Sequence, residues 1–256
     1  MNQLALGFIV AHSHRLQDLT DLVVAIHQRY PLEVFEQEAI LVQSNGIAQW
    51  LNHHLARDLV IAAMLDVTLP ARFQWRAYRA VLGQELPRES PFDKSSLVWR
   101  IMRVLPQHLA APEFSELRRY MADDDDQRKL FQLSERLADL YDQYQVYRAD
   151  WLNDWAAGKS PEVPAEQAWQ PILWRALLAD VGDSQWNNRA FIHQQFLAAC
   201  EQLTPQQRPR DIPARVVVFG ISSLPRQMLE ILQALSRICQ VVLCVHNPCQ
   251  YHWADI

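Results

Sequence analysis

Glycine is scarce in this chain: six residues, at positions 7, 46, 83, 158, 182 and 220, in a length of 256. Glycine-rich phosphate-cradling loops are therefore nearly excluded, because wrapping backbone N–H groups round an anion needs positions without a Cβ. Cysteine is rarer still. Four residues, three of them gathered at Cys239, Cys244 and Cys249, make no disulfide framework, and their spacing is not that of a CxxC pair. Reduced thiols in a core or surface turn of a cytoplasmic protein are expected. No run of eighteen apolar residues occurs, so no membrane span is expected. The opening MNQLALGFIVAHSHR lacks a basic start and a small-residue cleavage site, and reads as a strand instead of a signal peptide. A net charge of −5 argues against a uniformly basic DNA-coating module. It leaves room for a local basic channel, since the field depends on where the arginines sit.

Half the residues are hydrophobic and about a fifth are charged, an ordinary globular composition. The length suits one large domain, or a core with a sizeable insertion. Phe8 to Ala11 and Ala39 to Val42 are short apolar runs that read as buried strands, each followed by a turn and a helical pattern. After the second run comes Gln43-Ser44-Asn45-Gly46, where Ser44 or Asn45 can cap a helix carrying Ile47, Trp50, Leu51 and Leu55. Ile61 to Leu69 reads as a further extended piece ending at Pro70. Helical spacing then dominates, most clearly from Gln127 to Tyr147, where Leu130, Leu133, Leu137, Leu140, Tyr141 and Tyr144 recur every three or four residues. The acidic run Asp123 to Asp126 precedes that helix, where carboxylates suit the positive end of the dipole. Pro-rich Ser160 to Pro164 interrupts the helices, which resume through Trp169–Leu178 and Phe191–Leu203. Arg215 to Phe219 and Gln240 to Val245 are again strand-like, with Leu224 to Ile238 helical between them. Four strands at the two ends of a helical middle predict an α/β fold: one parallel sheet with a large helical insertion between its strands. The expected division is 1–75 for the first part of the core, 76–204 for the insertion, and 205–256 for the return.

The sheet lacks nucleotide motifs. A P-loop needs glycines, a lysine and Ser/Thr after its first strand, and here that turn is His12-Ser13-His14-Arg15. Gly158-Lys159-Ser160 copies the end of the motif, but Asn153 stands where the first glycine belongs and Pro161 follows. The strand that should end in a magnesium-holding acid reads Val216-Val217-Val218-Phe219. Gly220-Ile221-Ser222-Ser223-Leu224 approaches the G-x-S-x-G elbow without its closing glycine, which the sharp turn requires. His12, His14, His53 and His54 lack the i, i+4 spacing of a helical zinc pair. Trp151 and Trp155, four apart, read as helical core, while other aromatics could stack on bases.

Several stretches together resemble the RecC family, the gamma subunit of bacterial exodeoxyribonuclease V. Ala39-Ile-Leu-Val-Gln-Ser-Asn-Gly-Ile-Ala-Gln-Trp-Leu51 is similar to its ILVQSxGxAQWL signature, His12 to Leu16 to its HSxRL turn, and Leu69 to Trp75 to its LPAxFxW stretch. Arg128–Ser134, Asp142–Arg148, Gln167–Pro171, Gly220–Pro225 and Asn247–Ile256 follow in the family's order. The resemblance spans essentially the whole chain and implies an N-terminal fragment of a longer subunit. It further implies a superfamily-one helicase fold without ATPase activity, inactive as an enzyme by itself. Such a subunit partners RecB and RecD, binds single-stranded and duplex-end DNA, and scans the 3′-ended strand for Chi. ATP and magnesium would be used by the partners, with no cofactor in this chain.

By the same resemblance, the DNA-binding residues are Gln43, Asn45, Gln49, Leu69, Trp75, Asp139, Leu140, Asp142, Gln143, Arg148 and Arg189. Asn45 stands where the enterobacterial form carries threonine. Amides and arginine can read base edges, tryptophan can stack, and carboxylates can accept from exocyclic amines. Two other readings stay open at this point: an active P-loop ATPase or helicase with a degenerate motif, and a purely structural scaffold for RecB and RecD.

Overall fold

The computed structural model describes all residues except 1–3, 34–35, 60–64, 84–85, 87–89, 124–125, 160–162, 183–187, 248 and 250–256, and the side chains of 58 and 59. The chain divides into two compact units, one made of 1–84 with 196–256 and the other of 85–195.

The first unit is built on five parallel strands, β1 (Gly7–Ser13), β2 (Glu38–Leu41), β3 (Leu65–Thr68), β4 (Arg215–Phe219) and β5 (Gln240–His246), in the order β1-β5-β4-β2-β3. The inner strands β2, β4 and β5 are covered on both faces, which is why they read as apolar runs. Edge strand β1, expected to be buried over Phe8 to Ala11, instead leaves Ile9 and Val10 39% and 58% exposed, because it has a neighbour on one side only. One face packs Ile40, Val42, Val217, Phe219, Val242 and Cys244 against α1 (Leu16–Arg29) and α2 (Asn45–Leu59), through Leu19, Val23, Ile26, Leu51 and Leu55. The alternate residues Ala39, Leu41, Val216, Val218 and Val241 point the other way and are equally buried. On β5 sits α10 (Arg226–Leu235), which also packs on α3 (Pro70–Leu82).

Two further expectations are corrected. The sheet has five strands, because Leu65–Thr68 pairs with β2 along Glu38–Leu41; of the expected piece Ile61 to Leu69, residues 61–64 lie outside the described residues. The helical unit is also shorter than 76–204. Phe73, Ala77 and Tyr78 of α3 are buried in the sheet unit, and the Tyr78 ring lies 5.1 Å from Phe196.

At the N-terminal ends of the strands a polar network replaces apolar contacts. Arg215 is 1% and Glu38 2% exposed, with Arg215 Nη1 3.3 Å from Glu38 Oε2. Arg215 also donates to Gln240 Oε1 at 2.9 Å and to the Tyr30 carbonyl at 2.6 Å. His27 Nε2 meets the same Glu38 oxygen at 2.9 Å.

The second unit is helical: α4 (Lys94–His108), α5 (Ser115–Tyr120), α6 (Arg128–Tyr147), α7 (Ala149–Ala156), α8 (Trp169–Val181) and the start of α9 (Arg189–Gln202). Its core joins Leu97, Ile101 and Leu105 of α4 to Leu137 and Tyr141 of α6, Trp155 of α7, and Leu173, Trp174 and Leu177 of α8. Trp151 is half-buried against this cluster, as its spacing from Trp155 predicts. Among the described residues no helix is long and apolar enough to cross a membrane.

Burial pushes the thiols of Cys200, Cys239 and Cys244 up to about 12, whereas Cys249 is only partly buried. Thiol reagents attack the thiolate, so at mildly alkaline pH the folded chain should label at Cys249 alone. Mass mapping after brief alkylation checks this. Native-state labelling of Cys239 would contradict the placement of that residue in the core.

Candidate nucleic-acid interface

In the first unit the expected residues gather at the C-terminal ends of β2 and β3. The crossover from β2 runs outward to edge strand β3, while that from β4 runs the opposite way to β5. β2 and β4 are neighbours. Open parallel sheets bind ligands at such a switch point, outside the carboxyl ends of the strands. Gln43 and Asn45, both exposed, leave β2 there, and Gln49 follows on the exposed face of α2. Ser44 caps the helix, its Oγ accepting from Ile47 N at 3.3 Å, which answers which of the two residues is the cap. Gly220 follows β4 with φ 62°, and a Cβ there would sit 3.4 Å from Leu16. Leu69 leaves β3 and precedes α3, its carbonyl accepting from Arg72 N and Phe73 N, both at 3.1 Å. Val42 N reaches the Thr68 carbonyl at 3.0 Å, so the two loops start side by side. Trp75 stands on α3, half-buried, edge-on to Tyr78 at 5.8 Å.

The turn after β1 is made of side chains that bond to one another. Ser13 Oγ donates to Asp18 Oδ2 at 2.8 Å and accepts from Arg15 N at 3.1 Å. Phe219, where a nucleotide fold carries an acid, is fully buried and faces Trp50 at 6.3 Å between ring centroids. Gly158-Lys159 ends helix α7, with Lys159 near Asp154 at 3.4 Å. Among the described residues no group of three or more His, Cys, Asp or Glu side chains is placed to hold a metal ion.

In the second unit α6 carries most of the expected residues. Leu130, Ser134, Leu137, Ala138, Tyr141 and Gln145 are buried along one face, which turns Asp139, Asp142 and Gln143 towards the other. Leu140 is partly buried against the apolar cluster. The structure brings Asp142 and Arg189 together, with Arg189 Nη1 3.3 Å from Asp142 Oδ1 and Nη2 3.0 Å from Asp93 Oδ1. Asp139 meets Lys94 Nζ at 2.7 Å, and that carboxylate holds the Lys94 ammonium above its ordinary range. Arg148 is bidentate to Asp150 at 3.2 and 3.1 Å, and its guanidinium lies 3.5 Å above the Trp151 ring. Two of the five guanidinium N–H groups are thereby engaged.

Sequence reasoning missed the residues that support this surface. Gln145, fully buried, donates from Nε2 to the Phe92 carbonyl at 2.9 Å and accepts from Arg189 N at 3.3 Å. It thereby ties α6 to the segments that begin α4 and α9. Its signal was legible, an amide in the apolar stripe one turn after Tyr141. Asp93 and Lys94 gave no comparable signal.

With this geometry in place, comparison with known proteins is informative. The pattern described as RecC, N-terminal domain, matches residues 8–256. Relatives include the RecBCD enzyme subunit RecC of Escherichia coli, 46% identical over 96% of this chain and 22% of that protein. The subunit of the same name in Haemophilus influenzae is 38% identical over 97% of this chain and 24% of its own length. That of Mycobacterium tuberculosis is 26% identical over 94% and 22%. The fold is thus an α/β unit on a five-stranded parallel sheet, followed in the same chain by a helical unit. The chain belongs to the RecC N-terminal domain family and spans between a fifth and a quarter of the length of these relatives.

Proposed function

We propose that this chain is the N-terminal, DNA-handling part of a RecC-type subunit that works with RecB and RecD in a cytoplasmic helicase–exonuclease for double-strand-break repair and recombination. The observation that carries this reading is the family match across residues 8–256. The strand ends of the α/β unit and the α6 face of the helical unit contact the 3′-ended single strand, and their polar groups scan it for Chi. ATP and magnesium act in the partner subunits. The self-bonded Ser13 turn and the buried Phe219 support that assignment, since neither offers a phosphate cradle nor a magnesium ligand.

One observation favours a scaffold reading for the helical unit: Asp139, Asp142, Arg148 and Arg189 all lie in intramolecular ion pairs. Substitution separates the two. In the full-length protein, Trp75→Ala, Asp142→Ala and Arg148→Ala should each weaken or alter the Chi response while unwinding continues, because the motors lie in other subunits. A base contact is worth roughly 1–3 kcal/mol of discrimination, enough to change pausing at a site without dissociating the complex. Assembly with the partners is verified first. Variants that assemble, unwind and answer Chi like the parent would assign these residues to structure.

A further inference from the structure

Helix α3 carries three arginines and, in its first turn, no acidic residue. They are not equivalent. Arg76 pairs with Asp66 and lies over the Phe73 ring, so its charge is matched within the fold. Arg72 and Arg79 are exposed, and among the described residues neither has a carboxylate at ion-pair distance. Of the other arginines in the α/β unit, Arg15, Arg208, Arg215 and Arg226 each have one, while among the described residues Arg29, Arg57, Arg210 and Arg237 do not. What sets Arg72 and Arg79 apart is the aromatic ring between them.

Their placement on the helix is informative. Positions 72, 75 and 79 are i, i+3 and i+7, so Arg72, Trp75 and Arg79 share one stripe. The two guanidinium groups bracket the indole along about 10 Å of helix axis. Phe73, Ala77 and Tyr78 point to the core on the other side. Tyr78 fixes Trp75 from one edge at 5.8 Å, so the ring is held in place and still partly exposed. Arg72 lies in the first turn of α3, where the helix dipole disfavours a cation and no side chain caps the helix. That arrangement is unfavourable by itself and becomes favourable when an anion sits between the helix N-terminus and the guanidinium.

We propose that Arg72 and Arg79 grip successive phosphates of a single strand while one of its bases rests on Trp75. An aromatic ring between two arginines that have no carboxylate partner among the described residues suits a single strand, because stacking tolerates any base and the charges follow the backbone. The inference rests on the strand-contact reading above and adds phosphate anchors to it. Arg72 and Arg79 fix where the strand lies and carry no sequence information themselves.

The test uses the full-length protein assembled with its RecB- and RecD-type partners and a DNA end bearing a 3′ single-stranded tail, titrated over a salt series. Each neutralised phosphate of a single strand contributes about 0.7 to the slope of log affinity against log salt. Arg72→Ala and Arg79→Ala should each lower the slope by about 0.7, and the double variant by about 1.4, for every tail sequence alike. Arg72→Lys and Arg79→Lys should keep the slope, since the charge is kept. Alanine is the better helix former, so folding is not at risk. An unchanged slope in an assembled double variant overturns the proposal. So does an equal drop on the same end without its tail, which assigns the contact to duplex phosphates. Loss of assembly also overturns it and makes this face a protein contact. Failure of the base-reading hypothesis looks different: Trp75→Ala would leave the Chi response intact while the arginine variants still lower the slope.

Discussion

Arg215→Ala should destabilise the α/β unit by about 3–5 kcal/mol, the cost of removing one member of a buried ion pair. Arg215 and Glu38 are 1% and 2% exposed, and the Glu38 carboxylate would be left in the core with only His27 against it. The Tyr30 carbonyl and Gln240 Oε1 would lose a donor as well. Hydrogen exchange at the amides of β2, β4 and β5 measures the effect where it arises. Replacing both partners by apolar residues, as in Glu38→Leu with Arg215→Met, should cost less than Arg215→Ala, because no charge is left buried. Equal protection in Arg215→Ala and the parent would show that the pair is not closed as described.

His27 supplies an independent readout of the same network. Burial pulls the imidazole down, but the hydrogen bond and charge of Glu38 prevail, and its pKa lies above the ordinary 6.5. A group whose pKa is raised by folding contributes stability that is full below the unfolded value and is lost as pH rises through the folded one. The His27 contribution should therefore be full below about pH 6.5 and fade as the pH rises above it. Arg215 opposes protonation of His27. In Arg215→Ala the imidazole should titrate at still higher pH, and in Glu38→Gln at lower pH, both visible by NMR.

This network also shows where sequence reading stops. Strands β2, β4 and β5 were legible because a parallel strand covered on both faces is apolar throughout. Helix α6 was legible to within one residue, since its buried positions keep the helical period over about four turns. β3 was harder: Leu65-Asp66-Val67-Thr68 alternates and lies at the sheet edge, where one side is free of apolar demand. Arg215 opens a strand, and an arginine there reads as exposed; its burial depends on Glu38, 177 residues away.

The candidate interface divides in the same manner. Gln43, Asn45 and Gln49 entered through the family resemblance, and the strand, turn and capped helix legible around them account for their exposure in the structure. The pairing of Arg189 with Asp93 and Asp142 did not, because those partners meet only after α4, α6 and α9 pack. Reading Asp142 as a free acceptor therefore missed the guanidinium beside it. Any strand that uses this carboxylate shares it with Arg189 or displaces it.

The helical unit depends on Trp174 as the sheet depends on Arg215, and Trp174→Ala should cost about 3–5 kcal/mol. Trp174 is 1% exposed on α8, with its ring 5.4 Å from Tyr141 of α6 and 5.3 Å from Phe92. Alanine would remove nearly the whole side chain from between those rings, leaving a cavity that a packed helical unit fills only in part. The indole also donates from Nε1 to the Leu152 carbonyl at 3.2 Å, so truncation leaves a buried acceptor without its donor. Trp174→Phe separates these contributions. It keeps one aromatic ring between Tyr141 and Phe92 and loses the donor with part of the indole volume, and should cost about 1–3 kcal/mol, less than alanine. The consequence reaches the interface because Tyr141 is one of the residues that seat α6, its hydroxyl donating to the Gln170 carbonyl at 2.9 Å. When Tyr141 loses its stacking partner, the α6 amides should exchange faster, including those of Asp139, Asp142 and Gln143. If the α6 face contacts the single strand as proposed, that contact should weaken together with the protection. If Trp174→Ala leaves α6 as protected as Trp174→Phe does, Trp174 does not hold α6 in place, and some other contact fixes the orientation of that face.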